Sequence, residues 1–158
     1  MKLLVDSGST KADWIAVDDN GSVLFTTATL GLNPEVLTDI EIIERLNTAE
    51  QISTHKDKIN NVFFYGAGCG TDRMKMFLKD LLCNYFQKAE VQVHEDTYAA
   101  VYGTTPKGEK AIVCILGTGS NCSYFDGEFL HQKVQSLGYI AMDDCSGNRF
   151  GRHIIRGY

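Results

Sequence analysis

At the start of the chain, apolar positions fall in three short runs separated by turns of small and polar residues. Leu3, Leu4 and Val5 make a continuous apolar run, the pattern of a strand covered on both faces, and residues 14–17 (Trp-Ile-Ala-Val) make a returning strand of large and β-branched side chains. A second turn, containing Gly21, leads to a third strand over 22–29. The period then changes. Val36, Leu37, Ile40, Ile43, Leu46 and Ala49 recur at near-helical spacing, which predicts a helix over 36–53 with Pro34 in its first turn and Asn33 as its cap. A strand over 61–65, a helix from 71 or 72 to about 87, a strand over 90–94 and a short helix over 95–103 closed by Gly103 follow.

Residues 104–110 (Thr-Thr-Pro-Lys-Gly-Glu-Lys) are the one clear linker by composition. Beyond them the opening pattern recurs. A strand over 111–116, a turn of Gly117, Thr118, Gly119, Ser120 and Asn121, a strand over 122–125, the Asp126-Gly127 turn and a strand over 128–134 repeat the arrangement of the first half, and a helical tail covers 148–156.

The first turn contains Asp6, Ser7, Gly8, Ser9, Thr10 and Lys11. Gly8 can adopt a positive φ and admit a ligand to the main chain, and the neighbouring amides and hydroxyls can converge on an anion. Asp6, at the strand end, is placed to orient a hydrated Mg²⁺, which takes one or two carboxylates plus phosphate oxygens. Alone, this stretch reads first as an ordinary hairpin with a Gly/Ser turn. Its twin at 117–120 changes the balance, because two such turns on related domains can hold a nucleoside triphosphate between them.

Asp96 lies where a strand ends and a helix begins. It would serve there as a cap, yet the carboxyl ends of strands are also where ligands sit in α/β folds, with His94 and Glu95 as adjacent alternatives. Gly66, Gly68 and Gly70 do not fit a dinucleotide fingerprint and read as close backbone packing. Arg73, Lys75, Lys79 and Lys88 read as the solvated face of a helix, and Asp143 and Asp144 as a cap and solvated turn.

Composition narrows the class. The 158 residues suffice for one good core. A net charge of -5 offers no basic footprint, so neither nucleic acid nor an anionic membrane surface is an expected partner. No apolar run reaches membrane-spanning length and no signal-peptide pattern opens the chain, so a cytoplasmic protein is expected. The five cysteines, Cys69, Cys83, Cys114, Cys122 and Cys145, contain no C-x-x-C pair and are expected as buried, reduced thiols rather than iron–sulfur ligands.

The sequence Asp6-x-Gly8-Ser9-Thr10-Lys11, with Gly117-Thr118-Gly119-Ser120-Asn121, resembles the two phosphate motifs of the actin, hexokinase and heat-shock chaperone ATPase superfamily. Gly31-Leu32-Asn33-Pro34, Gly66-Ala67-Gly68, Glu95-Asp96-Thr97-Tyr98-Ala99-Ala100 and the residues from Leu137 to Gly147 extend the likeness to its N-acetylglucosamine kinase branch, the BadF/BadG/BcrA/BcrD-type ATPases. The resemblance implies an α/β, ribonuclease H-like (actin-like ATPase) domain over 1–105, with a mixed five-stranded sheet flanked by helices, and the start of a second, related domain over 111–158. It implies ATP and Mg²⁺ as cofactors and phosphoryl transfer to the 6-hydroxyl of N-acetylglucosamine or a related amino sugar. The alternative is an ATPase that drives the conformation of a partner enzyme.

In residue terms, the resemblance assigns Asp6 to the metal, and Asp6, Gly8, Ser9, Thr10, Lys11, Gly117, Thr118, Gly119 and Ser120 to ATP. It puts the catalytic aspartate on Asp96, and sugar contacts on Asn33, Asp96 and Asp143. The chain departs from the family in lacking a tryptophan soon after Asn33, and in having Met142, Asp144 and Cys145 where the family reads glycine, glutamate and glycine. Oligomeric state is left open, a homodimer included. Family kinases continue for nearly as long again. A chain stopping at Tyr158 is therefore expected to be a truncated or natural fragment, with an open sheet edge and weak or absent kinase activity by itself.

Overall fold

The computed structural model describes residues 1–117, 119–132 and 144–158. Packing divides the chain into two compact units, Met1–Asp96 and Thr97–Tyr158.

The first unit is built on strands β1 (Lys2–Ser7), β2 (Lys11–Val17), β3 (Val23–Leu30), β4 (Asn61–Gly66) and β5 (Glu90–Glu95), with helices α1 (Asp39–Asn47), α2 (Glu50–His55) and α3 (Asp72–Tyr85) and a single 3₁₀ turn at Lys56–Lys58. The strands form one mixed sheet in the order β3-β2-β1-β4-β5. β1, β2 and β3 pair antiparallel as the hairpin pattern predicts, whereas β4 and β5 run parallel to β1. The expected mixed five-stranded sheet is therefore present.

Side chains on each strand alternate between buried and exposed. Leu3, Val5, Trp14, Val62, Phe64 and Val91 point to the buried face, where they meet Ile42 and Leu46 of α1, Ile52 of α2 and Leu78 and Leu82 of α3. Trp14 is fully buried, packs edge-on against Phe64 and donates its indole N–H to Thr29 Oγ1 at 3.0 Å. The expectation of a β1 covered on both faces fails. Leu4 and Ile15, on the other face, are 40% and 41% exposed, because the helices of this unit pack on one side of the sheet.

The helix predicted over 36–53 is also revised. It is two helices, and the first begins at Asp39, where Thr38 and Glu41 form a reciprocal capping box that sets the start. Asn33 instead caps a turn, its Oδ1 accepting from the Glu35 amide at 2.9 Å and its carbonyl from Val36 and Leu37. α3 begins after Thr71, whose hydroxyl accepts from the Met74 amide.

Helix α4 (Asp96–Thr104) begins at the last residue of the first unit and continues in the second. There β6 (Ala111–Leu116), β7 (Ser120–Phe125) and β8 (Leu130–His131) form an antiparallel three-stranded sheet, and α5 (Gly147–Arg156) is capped by Ser146. Val101, Val113 and Phe125 form its small core. β8 is the described part of the strand expected over 128–134. Among the described residues, no helix is long and apolar enough to cross a membrane.

The Trp14–Thr29 pair gives a direct test of the core. Thr29→Val keeps the shape but leaves a buried indole N–H without its acceptor, which is expected to cost about 1–3 kcal/mol. Urea unfolding followed by the fluorescence of Trp14, the single tryptophan, measures it.

Candidate phosphate and acceptor site

β1, β4 and β5 are parallel, so their carboxyl ends lie together. Ser7, Gly66 and Glu95 are in register across that edge, as are Asp6, Tyr65 and His94 one residue earlier. The loops leaving these strand ends carry Gly8–Lys11, the 66–70 passage and Asp96. β5 is two strand spacings from β1, roughly 10 Å.

Ser7 joins the loops. It is fully buried, its hydroxyl accepts from the Leu32 amide at 2.9 Å, and its carbonyl accepts from the Ala67 amide at 2.8 Å. Its hydroxyl is thus engaged within the fold rather than offered to an anion. Gly31 rests directly on the turn, since a Cβ there would lie 2.2 Å from the Gly8 carbonyl oxygen and 2.6 Å from the Ser9 carbonyl carbon. Arg45 of α1 donates to the Gly31 carbonyl.

Gly68, with φ at +81°, receives Asn33, whose Oδ1 would be 1.9 Å from a Cβ at that position. The next residue, Cys69, is buried, and its thiol is pushed up to about 12, first by burial and then by the charge of Asp96, with Glu95 and Glu35 adding and Lys75 opposing. Asn33 therefore lies against the 66–70 passage, and the charge of Asp96 reaches Cys69 within it. Lys75 belongs with them. It is not part of a fully solvated face: its side chain is 33% exposed, it pairs with Asp72 at 3.6 Å, and its charge is felt at His94 and Glu95. Burial and then Lys75 lower the pKa of His94, whereas burial and then Asp96 raise that of Glu95.

The turn itself differs from expectation in one respect. Gly8 is not in the left-handed region; its amide donates to the Lys11 carbonyl at 2.9 Å, and a Cβ there would meet only that carbonyl oxygen, at 3.6 Å. Gly117 is similar, with the Gly119 carbonyl oxygen at 4.0 Å from a Cβ. Packing within the chain demands a glycine at 31 and 68 but not at 8 or 117. Ser9 and Thr10 are exposed.

Asp6 and Asp13 stand directly opposite each other on β1 and β2, and Asp13 pairs with Lys11 Nζ at 2.6 Å. Desolvation and then the Asp13 charge raise the Asp6 pKa. Two facing carboxylates that repel one another are a donor set suited to Mg²⁺, so Asp6, with Asp13 beside it, fits that ion. Asp13 was not singled out in the sequence, although its alternation with Trp14 and Ala12 puts it on the face of Asp6.

In the second unit, the turn is one residue shorter. Ser7 pairs with Ala12 around residues 8–11, whereas Leu116 pairs with Ser120 around 117–119. The Gly117 carbonyl accepts from the Gly147 amide at 2.8 Å, bringing the start of α5 to this turn. Asp144 is exposed and pairs with Arg149 at 3.3 Å. Thr118 and Asp143 lie outside the described residues. A separate apolar groove of about 520 Å³ between α1 and α3, lined by Ile40, Ile43, Phe77 and Leu81, contains none of these site residues.

Residues 4–148 match the BadF/BadG/BcrA/BcrD ATPase family. The chain belongs to that family. No curated protein matches it. Among solved structures it is similar to an inferred N-acetylglucosamine kinase of Porphyromonas gingivalis, with 36% identity and a TM-score of 0.85 over 98% of this chain and 55% of the other. The chain thus spans little more than half the length of that relative. A ROK family glucokinase of Streptomyces griseus in complex with glucose and AMPPNP shares the fold at 22% identity and a TM-score of 0.57, covering 89% of this chain and 49% of the glucokinase. MreB5 of Spiroplasma citri bound to ADP does so at 13% identity and 0.54, covering 82% and 49%. The fold is that of the actin-like ATPases and sugar kinases.

Three substitutions test this geometry. Gly31→Ala is expected to cost about 1–3 kcal/mol, because backbone must move to admit its methyl group, whereas Gly8→Ala should change stability by less than about 0.5 kcal/mol. Asp6→Asn should be slightly stabilising. A folded-state pKa above the ordinary value means that stability falls as pH rises through the carboxylate range, so removing the ionisable group should raise Tm at neutral pH by about 1–3 °C, a small effect because the residue is exposed. Thermal unfolding at several pH values measures all three, and the Asp6→Asn advantage should vanish in acid.

Proposed function

We propose that this chain carries the acceptor side and both phosphate turns of an ATP-dependent sugar kinase acting on the 6-hydroxyl of N-acetylglucosamine or a related amino sugar. The observation that carries this reading is that Asn33, against Gly68, and Asp96, after β5, stand at the carboxyl ends of strands that Ser7 and Gly31 tie to the Gly8–Lys11 turn. The 36% identity to the P. gingivalis protein, whose name carries N-acetylglucosamine kinase, supports the choice of sugar.

In this reading, the amides of Gly8, Ser9 and Thr10 and the side chains of Ser9, Thr10 and Lys11 hold nucleotide phosphates, and residues 117–120 do so in the second unit. At positions 8 and 117 the fold does not itself demand glycine, and there a phosphate can approach the backbone closely. Asp6, with Asp13 opposite, holds Mg²⁺, which neutralises phosphate charge when bound. Asn33 hydrogen-bonds the sugar. Asp143 is a further sugar contact. Asp96 orients the 6-hydroxyl and accepts its proton as the oxygen bonds to phosphorus. A cytoplasmic setting suits a reaction that consumes ATP.

Calorimetry of the folded chain tests the assignment. Binding of N-acetylglucosamine should be lost in Asp96→Ala, and Asp96→Asn should keep Mg-ATP binding while lowering phosphotransfer by about 10²–10⁴-fold. Sugar heat that is unchanged in Asp96→Ala would overturn it. Mg-ATP binding without sugar binding, indifferent to residue 96, would favour an ATPase that acts on a partner protein.

A further inference from the structure

The five cysteines are all free, but they are not alike. Cys69 is buried and Cys83 half-buried, as the sequence led one to expect, whereas Cys114, Cys122 and Cys145 are exposed. The reason for the first two exposed positions lies in the β6–β7 hairpin, which packs Val113, Ser123 and Phe125 inward and leaves Ile112, Leu116 and Tyr124 on an open face at 74%, 67% and 40% exposure. Cys114 and Cys122 are on that open face.

They are also directly opposite one another in the register of β6 and β7, with their sulfur atoms 3.3 Å apart. The Gly117 amide donates to the Gly119 carbonyl at 2.9 Å, which makes Leu116 and Ser120 a non-hydrogen-bonded pair and, two residues further, Cys114 and Cys122 another. In such pairs the strands approach most closely and the side chains project side by side, within the reach that a disulfide requires. No main-chain movement is needed to join them. Between the two cysteines lies the 117–120 turn.

We propose that Cys114 and Cys122 form a reversible dithiol–disulfide pair that locks this hairpin, with a low-molecular-mass disulfide of the glutathione type as its oxidant. One cysteine thiolate attacks a sulfur of the oxidant R–S–S–R, forming a mixed disulfide and releasing one R–S⁻. The second thiolate then attacks the protein sulfur of the mixed disulfide, forming the Cys114–Cys122 bond and releasing the other R–S⁻. The two cysteines lose two electrons, the oxidant gains two, and the two cysteine protons leave to solvent and the departing thiolates. The Cys114 thiol donates a hydrogen bond to Cys122, which raises its pKa, so exchange should quicken as pH rises. The inference rests on strand register and is independent of what the turn binds.

The experiment is incubation of the folded chain with excess glutathione disulfide at pH 8, followed by thiol titration and peptide mass mapping. The expected product is a 114–122 linkage lighter by two hydrogens, carrying no glutathione and fully reversed by dithiothreitol. Cys114→Ser and Cys122→Ser, each isosteric at an exposed position and checked for folding by circular dichroism, should trap a stable glutathione adduct on the remaining partner, while Cys145→Ser leaves the linkage intact. Stable glutathione adducts on both cysteines of the unaltered chain would overturn the proposal. So would persistence of both as free thiols when Cys145 has reacted.

Discussion

Ser7 is the point on which the first unit's functional edge depends. Its hydroxyl accepts from the buried Leu32 amide and its carbonyl from Ala67, so three separate stretches of chain meet at one residue. Buried main-chain amides must find acceptors or cost the fold their desolvation. Satisfying two of them at the end of β1 fixes where the loops after β3 and β4 run. Gly31 then presses against the Gly8–Ser9 backbone, and the Gly68 position receives Asn33. The turn and the asparagine are set by packing before any ligand arrives.

The electrostatics around that edge follow from the same arrangement. Parallel β1, β4 and β5 bring acids to their carboxyl ends, where burial, and then the neighbouring charge of Asp13 and of Asp96, raises Asp6 and Glu95 respectively. Lys75, reaching in from α3, offsets part of this charge. A site of this kind is less stable than a neutral one of the same shape, and a cation or a phosphate-bound metal relieves it. The surplus of negative charge is thus an argument for a ligand as well as a cost to the fold.

Both sheets are covered unevenly. In the first unit, helices shield the Leu3, Val5 and Phe64 face and leave Leu4 and Ile15 partly exposed; in the second, Val113 and Phe125 are covered while Ile112 and Leu116 are not. Apolar strands that read as fully buried in sequence are therefore half-covered in this chain. The same unevenness brings Cys114 and Cys122 to the surface, where their chemistry differs from that of a core thiol such as Cys69.

Local sequence determined most of the elements. Alternating and continuous apolar runs located all five strands of the first sheet within a residue or two at most ends, and Thr71 marked a helix start, because hydrophobic period and capping chemistry act over a few residues; the cap of α5 is Ser146 rather than the acidic pair before it. The doubled turn pattern also directed attention to the turns at 8–11 and 117–120. Tertiary structure alone decided the rest. That Asp13 faces Asp6, that Lys75 reaches the acids, that Gly31 supports the turn and that Cys114 lies against Cys122 all depend on strand register or on loops from distant parts of the chain. Even the start of α1 was settled by the Thr38–Glu41 box rather than by Pro34, whose compatibility with a helical first turn does not require one. Periodicity states which face of an element is apolar; only the assembled sheet states what stands opposite.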